Sequence, residues 1–381
     1  MMRLGLDART LFADQRRGIG KSLLRLYSHL ADARPGWEIV AYHRSPGPPP
    51  SDLPRNFTPR FIEMRGDRLD AWMQVRLPAA ARMERLDALH CPANHCPRWM
   101  PVPTLVTIHD LIPLDMPQGR PARELKRFEL SVEHACQKAA AVVSPSRFVR
   151  GRLVGEHGLD PRRGVVVPWG PTLEESTIDI GRAESVVASL GVSSPYVLHF
   201  GASEERKNTR GVIEAWAMVR PRYRQNCRLL IVGLDDKSRR DLGKLCDLLG
   251  LGKSVVLRGY VPEAELPLLL SCATVLLYPS LSEGFGLPVL EAFASATPVI
   301  TSDTTSLPEV AGDAAMLVPP GRATALASAM TALIKDPMRR AELAGRGTKR
   351  LRDYDWDKSA ANFARVCEAV SKRRRSRRSA A

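Results

Sequence analysis

Several things are scarce in these 381 residues, and each scarcity excludes something. No run of about eighteen apolar residues occurs, so no membrane-spanning helix is expected. The seven cysteines are odd in number and have no framework spacing. In a chain of this size they read as reduced cytosolic thiols rather than a disulfide scaffold. The opening Met1 to Asp7 has neither an apolar core nor a small-residue cleavage site, so it reads as a first strand and not as a signal peptide. Low-complexity sequence is confined to the last ten residues. What remains is globular, with 44% apolar and 25% charged residues. The length suits two α/β domains of about 150–200 residues each.

The net charge of +15 is unevenly placed. Residues 1–170 hold 26 Lys/Arg against 17 Asp/Glu, whereas residues 171–371 hold 24 of each. Lys372, Arg373, Arg374, Arg375, Arg377 and Arg378 supply the other +6. A basic first half and a basic tail beside a neutral second half suit an anionic membrane surface or an anionic acceptor on one side. Simple solubility is the plainer explanation. No recognised nucleic-acid motif accompanies the charge, so nucleic acid is not expected as a partner.

Short apolar runs alternate with helical stretches. Strands are expected at Arg3–Asp7, Glu38–Tyr42, Ala88–Cys91, Thr104–His109, Ala141–Ser144 and Val165–Val167, with a helix over Gly20–Leu30. The proline-rich Arg44–Pro59 reads as a loop. The pattern lapses between Pro168 and Ser194, then restarts. Strands are expected at Tyr196–Phe200, Arg228–Val232, Val255–Leu257, Val275–Tyr278, Pro298–Thr301 and Ala315–Val318. Helices fall between them at Gly211–Val219, Lys237–Leu249, Glu263–Cys272, Pro288–Ala294 and Ala323–Ile334. Such alternation predicts two doubly wound, mostly parallel sheets facing a central cleft, with ligands beyond the carboxyl ends of the strands.

Four stretches look chemical. Glu283-Gly284-Phe285-Gly286-Leu287-Pro288-Val289-Leu290-Glu291 follows a buried-type strand. Its glycines permit close backbone approach, and Pro288 suits a helix start whose N–H groups can hold phosphate. Ionised Glu283 and Glu291 accept hydrogen bonds, which suits hydroxyls of two sugars. By spacing alone, a helix-capping Glu beside an unrelated loop Glu is the other reading. Gly201 to Asn208 ends another strand and can place Arg206 and Lys207 on a diphosphate, although a solvated charge run fits equally. Gly18-Ile19-Gly20 opens the first helix as a further backbone cradle. His109-Asp110 ends a strand of the first half, where a satisfied structural histidine is the common alternative. His90-Cys91-Pro92-Ala93-Asn94-His95-Cys96 has zinc-ligand residue types. The prolines after each Cys and the want of a second ligand cluster argue for a strand-end turn instead.

Together these stretches resemble family 4 retaining glycosyltransferases of the GT-B architecture. Glu283 to Glu291 is similar to that family's E-x7-E motif. Leu257-Arg258-Gly259-Tyr260-Val261-Pro262, Pro298 to Ser302, Leu307 to Ala314 and Gly201 to Asn208 are also typical of it. Asp7-Ala8-Arg9, Gly18-Ile19-Gly20, Ala88 to Asn94 and His109-Asp110-Leu111-Ile112-Pro113 resemble its bacterial surface-polysaccharide, mannosyltransferase-like branch. The likeness runs to about residue 370.

The resemblance implies a set of roles. Arg206 and Lys207 grip the donor diphosphate. Glu283 holds hydroxyls of the transferred sugar, helped by Gly284 and by the N–H groups of Phe285, Gly286 and Leu287. Glu291 takes the ribose, and the base lies near Arg258, Tyr260 and Val261. Gly18 and Gly20 let the first domain close on the diphosphate, and His109 supports the cationic transition state. The donor implied is GDP-mannose or another nucleotide sugar, with no metal or other cofactor. The acceptor implied is a lipid-linked saccharide at the inner face of the cytoplasmic membrane. The expected organisation is 1–170 as the acceptor-side domain, 171–194 as linker and 195–352 as the nucleotide-sugar domain. A helix over 353–370 crosses back, and 371–381 is a disordered basic tail. Ser22, after Lys21, replaces an aromatic usual in that branch. A catalytically silent GT-B scaffold is the alternative of a different class.

Overall fold

The computed structural model describes residues 2–16, 18–64, 70–173, 179–192 and 195–379, with side chains through 372. The chain divides into two units. The first comprises Met1–Gly170 with Tyr354–Ala381, and the second Pro171–Asp353.

In the first unit, β1 (Arg3–Asp7), β2 (Glu38–His43), β3 (Phe57–Phe61), β4 (Ala88–Cys91), β5 (Thr104–Thr107), β6 (Ala141–Ser144) and β7 (Gly164–Val166) form one parallel sheet. Their order is β3-β2-β1-β4-β5-β6-β7. The chain winds outward from β1 to β3, then returns to place β4 on the other side of β1. That reversal parts the loops after β1 and β4 and leaves a crevice at their carboxyl ends. Val40, Trp72, Leu77, Val106, Phe128 and Val132 are among the core residues of this unit.

The second unit repeats the plan. β8 (Tyr196–Phe200), β9 (Arg228–Val232), β10 (Val255–Leu257), β11 (Val275–Tyr278), β12 (Val299–Ser302) and β13 (Ala315–Val318) lie in the parallel order β10-β9-β8-β11-β12-β13. The reversal falls between β8 and β11. Those are the two strands that end in Gly201–Asn208 and in Pro279–Gly286. Val197, Ile213, Trp216, Ile231, Leu277 and Met330 belong to its core.

Three expectations are corrected. The loop assigned to Arg44–Pro59 ends in a strand, because β3 begins at Phe57 and contains Pro59. Proline is tolerated there since β3 is an edge strand paired only with β2. The stretch 171–194 is not all linker. Helix Ile180–Ser189 lies in it, capped by Asp179 accepting from the Arg182 amide at 3.0 Å, and it buries Ala183 and Val187. The tail expected to be disordered continues the last helix, Trp356–Ser379, as helical backbone. Lysine and arginine are good helix formers, and the preceding turns supply the nucleus.

That last helix is part of the first unit. It buries Ala360, Phe363, Ala364 and Cys367. Asp357 meets His29 at 2.7 Å and Glu368 meets Arg34 at 2.9 Å. Both partners lie on or just after helix Gly18–Ala33. Among the described residues, no helix is long and apolar enough to cross a membrane.

Candidate active site

The two loops at the reversal of the second sheet are tied to one another. The Leu281 amide donates to the Arg206 carbonyl at 2.8 Å, and Asn208 Nδ2 donates to the Pro279 carbonyl at 3.2 Å. Asn208 itself is left-handed, with φ 58° and ψ 31°, a conformation Asn tolerates better than most side chains. Three hydroxyls hold the second loop from below. Thr301 Oγ1 donates to the Tyr278 carbonyl, Ser302 Oγ to that of Ser280, and Ser306 Oγ to those of Glu283 and Phe285.

This scaffold brings Arg206, Lys207 and Glu283 into one buried cluster. Glu283 Oε1 accepts from Arg206 Nη1 at 2.7 Å, Lys207 Nζ at 2.8 Å, Tyr278 OH at 2.6 Å and Ser280 Oγ at 2.9 Å. All four donate to the same oxygen, which leaves Oε2 to meet a ligand hydroxyl. Burial pushes the Glu283 carboxyl up, but Lys207 and Arg206 outweigh it and hold the pKa down at about 2. The group is therefore ionised at neutral pH and can only accept. Lys207 Nζ also donates to Tyr278 OH at 2.5 Å, and Arg206 Nε to Glu204 at 2.7 Å. Both cations keep further N–H groups. Beneath them, buried His199 bridges the Leu277 carbonyl and Thr209 Oγ1, joining β11 to the start of helix Thr209–Met218.

Gly286 precedes helix Leu287–Ala294 with φ 129° and ψ 49°, a region only glycine enters freely. A Cβ there would also lie 2.8 Å from Leu307 Cδ2. At the start of the helix the Val289 amide donates to the Gly286 carbonyl at 3.0 Å, and Pro288, which has no N–H, forfeits nothing. Glu291 lies one turn in, buried, and accepts from Thr172 Oγ1 at 2.7 Å. The loop after β10 rests on the loop after β9, where the Gly233 amide donates to the Gly259 carbonyl at 2.7 Å. On it Val261 is buried and Tyr260 is exposed. Arg258 packs toward Gly191, whose added Cβ would come within 2.6 Å of Nη2.

The first unit places His109 just beyond β5. The His109 amide donates to Asn94 Oδ1 at 2.7 Å, and its Nε2–H donates to the Pro92 carbonyl. Its ring lies 4.8 Å from Trp169. Burial lowers the imidazole pKa to about 4, so the ring is neutral at pH 7. Nδ1 is buried and has no hydrogen-bond partner among the described residues, leaving an acceptor lone pair. Gly18 begins the first helix, and Gly20 lies so close to the preceding loop that a Cβ would come within 2.7 Å of the Thr10 carbonyl.

The zinc-like stretch is a turn. His90 has both nitrogens engaged, with Tyr27 OH at 2.9 Å and Thr107 Oγ1 at 2.8 Å, and Cys91 and Cys96 are buried free thiols. No group of three or more metal-ligating side chains occurs among the described residues. Sequence reasoning missed Tyr278, Ser280, Ser306 and Thr172. A hydroxyl-bearing aromatic ending a buried strand, followed by Pro-Ser, was the signal available for the first two.

The description "Glycosyl transferases group 1" matches residues 185–350, and "Glycosyltransferase Family 4" matches residues 16–175. The chain belongs to glycosyltransferase family 4. This family 4 member is 27% identical to O-antigen chain mannosyltransferase B of Escherichia coli, over 66% of its own length and 67% of that protein. It is 25% identical to the E. coli serotype-specific mannosyltransferase WbdA over 58% of its length, which is 27% of that protein. The solved structure of Anabaena HepE in complex with UDP and glucose superposes with a TM-score of 0.75 at 15% identity, covering 97% of this chain and 100% of that one. Its two parallel-sheet α/β units are those of the GT-B fold.

Proposed function

We propose that the chain is a retaining hexosyltransferase moving mannose from GDP-mannose onto a lipid-linked oligosaccharide of a surface polysaccharide, without a metal ion. The observation that carries this reading is the Glu283 carboxylate, fixed through one oxygen by Arg206, Lys207, Tyr278 and Ser280. A carboxylate so fixed orients sugar hydroxyls, and the same two cations meet the leaving diphosphate. Mannose is supported by the His109 to Pro113 run and by the likeness to E. coli O-antigen chain mannosyltransferase B. A nucleotide sugar is supported by the UDP in the Anabaena structure. Peripheral attachment at the cytoplasmic face accords with the basic first half.

The roles follow from donor and acceptor capacity. Glu291, steadied by Thr172, accepts from the ribose hydroxyls, and the loop with Arg258, Tyr260 and Val261 takes the base. Gly284, Phe285, Gly286 and Leu287 offer backbone N–H groups to sugar and phosphate. Gly18 and Gly20 allow close backbone approach to the diphosphate. His109 offers an accepting Nδ1 to a sugar hydroxyl and carries no charge to oppose the cationic transition state. The sugar C1–O bond breaks with its electron pair passing to the diphosphate oxygen. The acceptor hydroxyl attacks the same face, and its proton goes to that departing oxygen. Arg206 and Lys207 stabilise the charge that develops there.

A panel of GDP-, UDP- and dTDP-sugars tests this reading by thermal stabilisation and slow donor hydrolysis. GDP-mannose at a hundredfold excess over Kd is expected to add about 2.7 kcal/mol. Stronger stabilisation by another nucleotide sugar overturns mannose, and no response to any of them overturns the transferase reading. Inversion at the anomeric carbon of the product overturns retention, and loss of activity in EDTA overturns metal independence.

A further inference from the structure

Among its described residues, the first unit carries an exposed apolar face on one short helix. Residues Trp72–Met83 start as a π-helical turn, Trp72–Arg76, and continue as an α-helix, Leu77–Met83. The inner side buries Trp72, Met73, Leu77 and Ala81. The outer side exposes Val75 (58%) and Met83 (81%) together with Arg76 and Arg82. Scattered single apolar residues are ordinary on a surface. Here a further one joins from another segment, since Trp99 is 47% exposed. That segment is fastened to the helix. The Arg98 amide donates to Gln74 Oε1 at 2.9 Å, and the Arg82 guanidinium lies 5.9 Å from the Trp99 ring centre.

Among the described residues, the charge exposed on this face has one sign. Among the described residues, Arg76, Arg82 and Arg98 form no ion pair. The neighbouring carboxylates are engaged elsewhere. Glu84 lies 3.4 Å from Arg3 and 3.6 Å from Arg60, Asp70 lies 3.7 Å from Arg9, and Asp87 takes the Arg3 amide at 2.9 Å. A tryptophan and two flexible or branched aliphatics among uncompensated guanidiniums match a lipid headgroup layer. The apolar parts enter the acyl boundary while arginine meets phosphate in paired hydrogen bonds. An acidic protein or a nucleic acid would satisfy the arginines and leave Val75 and Met83 in water.

We infer that this face of helix Trp72–Met83, with Arg98 and Trp99, seats the protein on an anionic lipid bilayer. The inference deepens the proposed function by giving the membrane of its lipid-linked acceptor a defined contact. Of the two basic regions read from the sequence, the first half and the tail, it assigns the contact to the first.

Flotation of the full chain with vesicles is the test, using phosphatidylcholine alone or with roughly 30% phosphatidylglycerol to supply anionic charge. Wild type floats with the anionic vesicles and loses binding as salt rises from about 0.1 to 0.5 M. The triple variant Arg76→Glu, Arg82→Glu, Arg98→Glu binds about a hundredfold more weakly, at roughly fivefold per arginine. A chain lacking residues 372–381 keeps most of its binding. Failure of wild type to float overturns the inference. So does a triple variant that floats like wild type, or a tail deletion that alone abolishes flotation. Should the triple variant not unfold cooperatively, Trp99 decides. Its emission shifts to the blue on anionic vesicles, a change that Trp99→Phe removes, and no such change overturns the inference. None of these readouts uses a nucleotide sugar, so they stand or fall separately from the donor panel.

Discussion

The two units share a topology and place different chemistry at the ends of their strands. In the second, charge is inside. Arg206, Lys207 and Glu283 are gathered around one carboxylate oxygen at the sheet reversal. In the first, the end of β1 carries buried Asp7 paired with Arg9 at 2.8 Å, and the group just beyond β5 is a neutral imidazole whose Nδ1 has no partner among the described residues. A fold of this type prescribes where a ligand can sit, namely beyond the strand ends at the reversal. It does not prescribe the chemistry. One plan holds an ionic cluster at the reversal of the second sheet and, beyond β5 of the first, an uncharged hydrogen-bond acceptor.

The sharpest way to break this contrast is Lys207→Ala. On the proposed function it removes a cation from the leaving diphosphate, and kcat is expected to fall by about a thousandfold. Equal turnover of wild type and variant would remove the diphosphate assignment and favour a silent scaffold. Glu283→Gln retains shape but cannot accept as a carboxylate, and a drop of about a hundredfold is expected in kcat/KM.

His109→Phe tests the neutral partner. It deletes the accepting nitrogen, and kcat should fall about tenfold to a hundredfold with little change in donor KM. Because His109 stays neutral until about pH 4, wild-type activity between pH 5.5 and 8 should show no step from this residue. A step near pH 6.5 would show an imidazole exposed to water.

Acid stability compares the units directly. His90, His109 and His199 have pKa values lowered by burial to about 3, 4 and 4. In the unfolded chain they take protons near pH 6.5, so stability is full above that value and falls as pH drops toward 4. Each accounts for roughly 2–3 kcal/mol over that window. Glu283 acts at lower pH, with its contribution present above about 4.5 and lost toward 2. Thermal unfolding from pH 7 to 3 should show the histidine loss first. The smallest effect is expected from Thr172→Val, which frees Glu291 of its hydroxyl partner and should raise donor KM a few-fold at unchanged kcat.

Much of this was legible in the sequence. The four central strands of the second sheet, β8, β9, β11 and β12, are buried on both faces and therefore read as continuous apolar runs, so their ends, and the motifs there, were locatable. Arg206, Lys207 and Glu283 were named as separate signals, and the hydrogen bonds joining them appear only when β8 and β11 become neighbours. Tyr278 and Ser280 were hidden because a tyrosine in an apolar strand looks like core until its hydroxyl finds an acceptor. Asn94, quoted only within longer stretches and given no role, accepts from the His109 amide across 15 residues of sequence. β3 was hidden by its proline, which an edge position tolerates. Helix Trp72–Met83 was missed because its π turn and Pro78 disturb the 3.6-residue period that marks a helix.

Helix Trp356–Ser379 belongs with residues translated hundreds of codons earlier. Tyr27 rests 5.9 Å from Phe363, and Asn362 donates to the Val166 carbonyl. The second unit is therefore an insertion within the first. During synthesis, residues 171–353 hold everything they need once their own segment has left the ribosome. The opening 170 residues must wait for the final stretch before their apolar surface is covered. The interval before that stretch emerges is when chaperones would find this chain most exposed.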